Sequence, residues 1–117
     1  MLSNFLIFSV CQGDNDAQDY YNTTTIIHEY GFEPVLGVYQ GISEHSFIVP
    51  ITEFCTVDSL CHEYNQECFL MCQDGEGFLI FPTGHKESIG FLKSHLERPA
   101  SDHTELSDGT FITFEKE

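Results

Sequence analysis

Short apolar runs separated by turn-forming residues recur along the chain and predict a sheet of short strands. The first run, Phe5 to Val10, has no polar alternation beyond Ser9, which is typical of a strand buried at the centre of a sheet. Further strands are predicted over residues 32–39, 44–50, 68–72, 78–81 and 110–114, the last as an edge strand. The turn-forming segments 40–43 and 73–77 predict that the strands on either side of each pair as hairpins.

Two helices are predicted between these strands. The first follows a cap at Asp14 or Asn15 and ends before Gly31, a residue suited to the left-handed position after a helix. Its predicted apolar stripe comprises Ala17, Tyr20, Tyr21, Thr24 and Ile27. The second helix spans residues 52–64, and Asn65 is a plausible stop. Its predicted apolar face comprises Phe54, Val57, Leu60, Cys61 and Tyr64.

The order of these elements predicts an α+β fold of the ferredoxin-like type, βαββαβ, with one antiparallel sheet, both helices on one face and additional C-terminal strands. Residues 89–96 are compatible with a strand or a short helix, and residues 99–109 with a loop. The length fits a single domain over residues 1–117. Because such a sheet leaves one apolar face open, we expect oligomerisation to cover it.

Charge changes this picture most. The chain holds 19 acidic and 4 basic residues, a formal net charge of -15, and twelve of the acids precede Lys86, the first base. A field of this sign repels nucleic acid, so no nucleic-acid partner is expected. It attracts cationic ligands or basic protein surfaces, although an acidic surface that serves solubility alone remains open.

The expected compartment and metal content depend on features that the sequence lacks. No apolar run approaches the roughly 18 residues of a membrane span, and residues 1–8 lack the features of a signal peptide, so a cytoplasmic protein without a membrane partner is expected. The five cysteines, an odd number, are expected as free thiols. Cys61, His62, Cys68 and Cys72 match no zinc spacing, so no metal and no cofactor are expected.

Familiar catalytic motifs are missing, but three segments combine turns with polar side chains at the ends of predicted elements. Residues 9–13 follow the first strand, residues 41–47 carry an acid at the start of a hairpin strand, and residues 65–68 place amide side chains before a strand. Each has an ordinary structural explanation as a turn, a solvated acid or a helix end.

These segments carry a resemblance to a known family. The stretches Phe8-Ser9-Val10 with Asn22, Gly37-Val38-Tyr39, Glu44 to Val49, Tyr64 to Leu70 and Gly77 to Ile80 occur in the order seen in phage S-adenosylmethionine lyases, which the chain resembles over roughly residues 5–81. The resemblance implies a ferredoxin-like core and a homotrimer with its active site between subunits. It also implies cleavage of S-adenosylmethionine to 5′-methylthioadenosine and homoserine lactone.

The resemblance also implies the site residues and the biological role. Glu44 and Gln66 match the family's active-site Glu and Gln, and Ser9 and Asn22 are expected to shape the substrate site. The phage enzymes deprive host restriction systems of their methyl donor, which would place the protein in the host cell cytoplasm. The substrate is a net cation, so the acidic chain suits it.

A second hypothesis belongs to a different class of protein. The same acidity would suit a non-catalytic anti-defence protein that binds a basic protein surface, or a relative that binds a small ligand without converting it. Analysis of the products after incubation with S-adenosylmethionine separates the lyase from both.

Overall fold

The computed structural model describes residues 3–13 and 15–116, in which eight strands and two α-helices are formed. In chain order the strands are β1 Phe5–Phe8, β2 Glu33–Tyr39, β3 Ile42–Pro50, β4 Phe69–Gln73, β5 Glu76–Ile80, β6 Lys86–His95, β7 His103–Glu105 and β8 Phe111–Glu115. The helices are α1 Asp16–Tyr30 and α2 Phe54–Glu63, and a 3₁₀ turn, Ile51–Glu53, leads into α2.

The strands close into an antiparallel barrel in the order β1-β3-β2-β7-β8-β6-β5-β4, with β4 returning to β1. Strand β1 lies between β3 and β4. Phe8 pairs with Phe47 of β3, and Ile7 pairs with Leu70 of β4. These two pairings bring the segment after β1, the first half of β3 and the segment before β4 to one end of the barrel. That end carries the candidate site described below.

Two apolar layers explain why β1 is buried along its whole length. Alternate residues point to opposite faces of a strand, so Phe5 and Ile7 pack inside the barrel while Leu6 and Phe8 pack outside it. The inner layer, called the barrel core, also contains Val35, Ile48, Cys72 and Ile112. The outer layer joins β1, β3 and β4 to the two helices through Ile26 of α1 and Val57 and Leu60 of α2. The helices therefore cover one arc of the barrel.

Helix α1 begins and ends as its sequence indicates, but its buried face is not the predicted one. The Asn15 side chain caps it by accepting from the Gln18 amide, and Gly31 ends it in a left-handed conformation; Asp14, the alternative cap, lies outside the described residues. Only Asn22 and Ile26 are buried, whereas Tyr20 and Tyr21 are 75% and 65% exposed. The predicted stripe was wrong because the helix rests on the barrel through Ile26 and a buried polar contact of Asn22.

The apolar face predicted for α2 is confirmed. Val57, Leu60 and Cys61 are buried in the outer layer, and Phe54 and Tyr64 pack against it. Asn65 adopts a left-handed conformation with φ of 54°, which turns the chain out of the helix towards β4.

The ferredoxin-like α+β prediction was wrong: the fold is a closed eight-stranded antiparallel barrel with two short helices. The expected order of elements is present through β4, but β5 to β8 continue the sheet until it meets itself. Of residues 89–96, all but Leu96 belong to strand β6, and the expected loop over 99–109 contains β7. Strand β8 is not an edge strand, because it pairs with both β6 and β7.

Barrel closure also overturns the expectation of an uncovered sheet face. The face opposite the helices is the interior of the barrel, where Leu92, Leu106 and Phe114 pack against the barrel core. The chain thus supplies its own cover for this face. No helix among the residues described here is long and apolar enough to cross a membrane.

Candidate functional site

A polar cleft of about 540 Å³ lies at the end of the barrel where β1 finishes. Its walls come from the three segments that the sequence marked by their polar turn residues. The lining residues are Cys11, Gln12, Gly13, Glu44, Asn65, Gln66 and Glu67. Residues separated by more than 50 positions in the chain therefore face one space.

Two glutamines fasten the walls of the cleft to each other. Gln66 Nε2 donates to the Cys11 carbonyl at 2.6 Å and to the Tyr64 carbonyl at 3.3 Å. Gln12 Nε2 donates in return to the Tyr64 carbonyl at 3.1 Å. Because a carbonyl only accepts, both amide nitrogens must face the protein, which leaves both amide oxygens as acceptors for a ligand.

A carboxylate from α1 holds the segment that follows β1. Asp19 Oδ1 accepts from the Gln12 backbone amide at 2.7 Å, and its Oδ2 accepts from the Gly13 amide at 3.1 Å. Gly13 has a φ of 78°, a conformation that glycine adopts without strain. Charged acceptors make stronger hydrogen bonds than neutral ones, so this pair fixes the wall more firmly than an amide side chain would.

Glu44 lines the cleft from β3, and its environment raises the pKa of its carboxyl. Burial of the carboxyl raises its pKa, the Ser9 hydroxyl lowers it as a hydrogen-bond partner, and the negative charge of Asp19 raises it. The net effect is an increase. The side chain keeps exposed surface, so water reaches part of it. A cation bound beside this carboxylate would offset both the burial and the repulsion.

Ser9 and Asn22 occupy different positions relative to this cleft. Ser9 is buried beneath it, where its Oγ accepts from the Cys11 amide at 2.9 Å and also faces Glu44. Asn22 does not line the cleft. Its Nδ2 donates to the Val10 carbonyl at 3.2 Å and its Oδ1 accepts from Gln18 Nε2 at 2.8 Å. The structure therefore brings Ser9, Glu44 and Gln66 together and places Asn22 behind them, as an anchor between α1 and the end of β1.

The charge of the cleft suits a cation. Glu44 and Glu67 line it, Asp19 acts on Glu44 electrostatically, and no Lys or Arg is among the lining residues. Within residues 3–13 and 15–116, no group of three or more His, Cys, Asp or Glu side chains is arranged to hold a metal ion.

Two cysteines outside the cleft lining, Cys61 of α2 and Cys68 next to the lining residue Glu67, are poor nucleophiles. All five cysteines of the chain are free. Burial is the largest cause that raises the pKa of Cys61, to about 12, and it also raises the pKa of Cys68, to which the charges of Glu67 and Glu44 contribute. Because the thiolate is the reactive form, these thiols stay protonated and inert near neutral pH.

Sequence reasoning missed Gln12, Glu67 and Asp19 as individual residues of this region. Gln12 and Glu67 lie within segments that were marked only as turns, and no local signal distinguishes them from solvated side chains. Asp19 reads as an acid in the first turn of a helix, where the dipole already explains it. Its contact with Gln12 and Gly13 depends on how α1 folds back on β1, which spacing alone does not show.

Comparison with known proteins adds one positive finding. The model of the S-Adenosylmethionine lyase family matches residues 9–115, a span that includes every residue lining the cleft and strands β2 to β8. No curated protein matches the chain.

Proposed function

This chain belongs to the S-adenosylmethionine lyase family, and on that premise we propose that it cleaves S-adenosylmethionine to 5′-methylthioadenosine and homoserine lactone. The observation that carries the proposal is that Glu44 and Gln66, 22 positions apart in the chain, line the same acidic cleft. No Lys or Arg is among the residues that line it. S-adenosylmethionine carries a sulfonium and an ammonium against one carboxylate, so such a cleft attracts it.

The reaction needs little from the protein beyond orientation. A carboxylate oxygen of the substrate attacks its own Cγ, the Cγ–S bond breaks, and the electron pair goes to the sulfonium sulfur, which leaves as the neutral thioether of methylthioadenosine. No proton is transferred in this step, so no general base or activated nucleophile is required. The protein must fold the methionyl chain so that the oxygen meets Cγ in line with the breaking bond.

Glu44 and Gln66 are proposed as the residues that hold the methionyl chain of the substrate in this reactive conformation. The Glu44 carboxylate pairs with the substrate ammonium, and the Gln66 amide oxygen accepts a hydrogen bond from another polar end. Ser9 supports Glu44 from below, while Asn22 acts on the site by holding α1 against β1 rather than by contact. Attack joins opposite charges, so displacement of water from the cleft favours it.

A homotrimer is part of the proposal, since the family resemblance implies a site between subunits. The cleft of one chain is lined by polar and small side chains and includes no aromatic residue. A nucleoside base normally binds against apolar or aromatic surface, so a neighbouring subunit is the natural source of a wall for the adenine. We propose the biological role implied by the same resemblance, removal of the methyl donor by a phage inside its host.

The test is incubation of the purified protein with S-adenosylmethionine, followed by chromatography of the products. Equal amounts of methylthioadenosine and homoserine lactone are expected. S-adenosylhomocysteine is the matched control, because its uncharged thioether is a poor leaving group and should stay intact. If S-adenosylmethionine also stays intact, the lyase proposal fails.

The second candidate function is a non-catalytic acidic protein that binds a basic partner. The observation that favours it is the net charge of -15, of which -12 lies in residues 1–85, the segment without Lys or Arg. A protein that neither binds nor cleaves S-adenosylmethionine, yet forms a salt-sensitive complex with a basic protein of the host defence, would support this alternative.

A further inference from the structure

The contacts of Asp19 exceed what an acid in the first turn of a helix needs. An acid that only complements the helix dipole points to solvent or to its own helix amides. Asp19 instead uses both carboxylate oxygens on backbone amides outside the helix, those of Gln12 at 2.7 Å and Gly13 at 3.1 Å. Both residues line the cleft.

The same carboxylate also acts on Glu44. Its negative charge is one of the causes that raise the pKa of Glu44, after burial. The Ser9 hydroxyl after β1 lowers that pKa, Cys68 ahead of β4 is within reach of the Glu44 charge, and Glu67 lines the same cleft. Asp19 is thus the contribution of α1 to the charge of the site.

We propose that Asp19 is a positioning residue of the cleft, which fixes the Gln12–Gly13 wall through its backbone amides and adds a further negative charge to those of Glu44 and Glu67 for a cationic substrate. The identity of that substrate rests on the proposed function. The role of Asp19 in the wall does not, since the hydrogen bonds exist without a ligand.

Asp19→Asn is the sharpest variant, because it keeps the shape of the side chain but replaces one acceptor oxygen by a donor. One of the two wall amides then loses its partner, and the charge disappears. Asp16→Asn is the matched control: Asp16 is an exposed acid in the first turn of the same helix. Both variants remove one charge from the same place in the fold.

Two measurements test the role of Asp19 without depending on lyase activity. Amide hydrogen exchange at Gln12 and Gly13 should accelerate about tenfold or more in Asp19→Asn and stay unchanged in Asp16→Asn. The Glu44 carboxyl, followed by NMR, should titrate at lower pH in Asp19→Asn, because loss of a neighbouring negative charge makes its ionisation easier. In the lyase assay, Asp19→Asn should raise the KM for S-adenosylmethionine about tenfold with a smaller change in kcat.

The outcomes separate this proposal from the proposed function. If the wild type does not cleave S-adenosylmethionine, the lyase proposal fails, while exchange and titration still report on Asp19. If both readouts in Asp19→Asn equal those in Asp16→Asn, Asp19 is only a surface acid of the helix and the inference is overturned.

Discussion

Glu44 illustrates how a residue suited to bind a cation weakens the fold that presents it. Its carboxyl is partly desolvated and faces the charge of Asp19, so in the empty cleft the ionised form is disfavoured. In the proposed function, a cationic substrate reverses that balance by pairing with the carboxylate. The same group would then supply binding energy and a small instability of the empty fold.

Glu44→Gln should lower the rate of methylthioadenosine release about a hundredfold, equivalent to about 3 kcal/mol, because the variant keeps size and hydrogen bonding but loses the charge that orients the substrate. Chromatography measures the release, and circular dichroism checks the fold. Glu97→Gln, an exposed acid outside the cleft, is the control and should retain full activity. Unchanged release in Glu44→Gln would show that this carboxylate does not act on the substrate.

The thermal stability of Glu44→Gln at pH 7 should increase, although its activity falls. The folded-state pKa of Glu44 lies above its ordinary value of 4.5, so this group stabilises the fold below that pH and the benefit is lost as the pH rises through the folded-state pKa. At pH 7 the ionised carboxyl is a cost that Gln removes, and the melting temperature should rise by about 1–3 °C. At pH 4 the two proteins should melt nearly together. A lower melting temperature at pH 7 would contradict this account.

At the level of elements, the local sequence pattern was enough to predict those elements whose residue types are set by burial alone. The unbroken run of β1, the hairpin turns and the face of α2 follow from residue type and spacing. Closure of the barrel does not, because nothing in the local pattern of β6 and β8, which carry Leu92 and Ile112 to the barrel core, indicates which strands they pair with. The face of α1 was misread because tyrosines tolerate water and Asn22 finds a carbonyl when buried.

The site shows the same division between local and tertiary information. The sequence marked the segments of Glu44 and Gln66, and the structure places both in one cleft. Asn22, expected to shape the substrate site, is not among the residues that line the cleft, because its amide is used by Val10 and Gln18. Roles of single side chains depend on partners that only the fold brings near.

Gly90 is the element-scale feature whose loss should matter most. It sits in β6 with a φ of 104°, and a Cβ there would collide with the backbone of Glu115 on β8. Gly90→Ala should therefore lower the free energy of unfolding by about 3 kcal/mol or more, measured by urea denaturation. Gly84→Ala is the control, since Gly84 also has a positive φ, of 88°, but open space around it; about 1 kcal/mol is expected. Equal losses in the two variants would mean that the contact with β8 adds nothing.

For the whole molecule, the first argument for a trimer, an open sheet face, does not apply to the closed barrel. The open sheet face that suggested oligomerisation does not exist, so the trimer depends on the family resemblance and on the incomplete cleft. Apolar side chains remain exposed on α1, at Tyr20 and Tyr21, and at the β2–β3 turn, at Tyr39 and Ile42. These are the surfaces on which contacts between copies could form.

Light scattering at micromolar concentration should give a mass near three protomers of 13.3 kDa each. Added salt should not dissociate the assembly, because each copy carries a net charge of -15 and screening reduces the repulsion between copies. A monomer of full lyase activity would show that one chain builds the whole site and would contradict the proposed trimer.

The barrel core also constrains how the protein is made. Phe5, near the start of the chain, packs within 6.5 Å, between ring centroids, of Phe114, near its end. During synthesis the inner face of β1 is therefore covered only in part, by residues such as Ile48 and Cys72, until β8 has left the ribosome. Contacts so distant along the chain form late and slowly, and an apolar strand that waits is prone to aggregate. A nascent chain stopped before β8 should therefore aggregate more readily than one that includes β8.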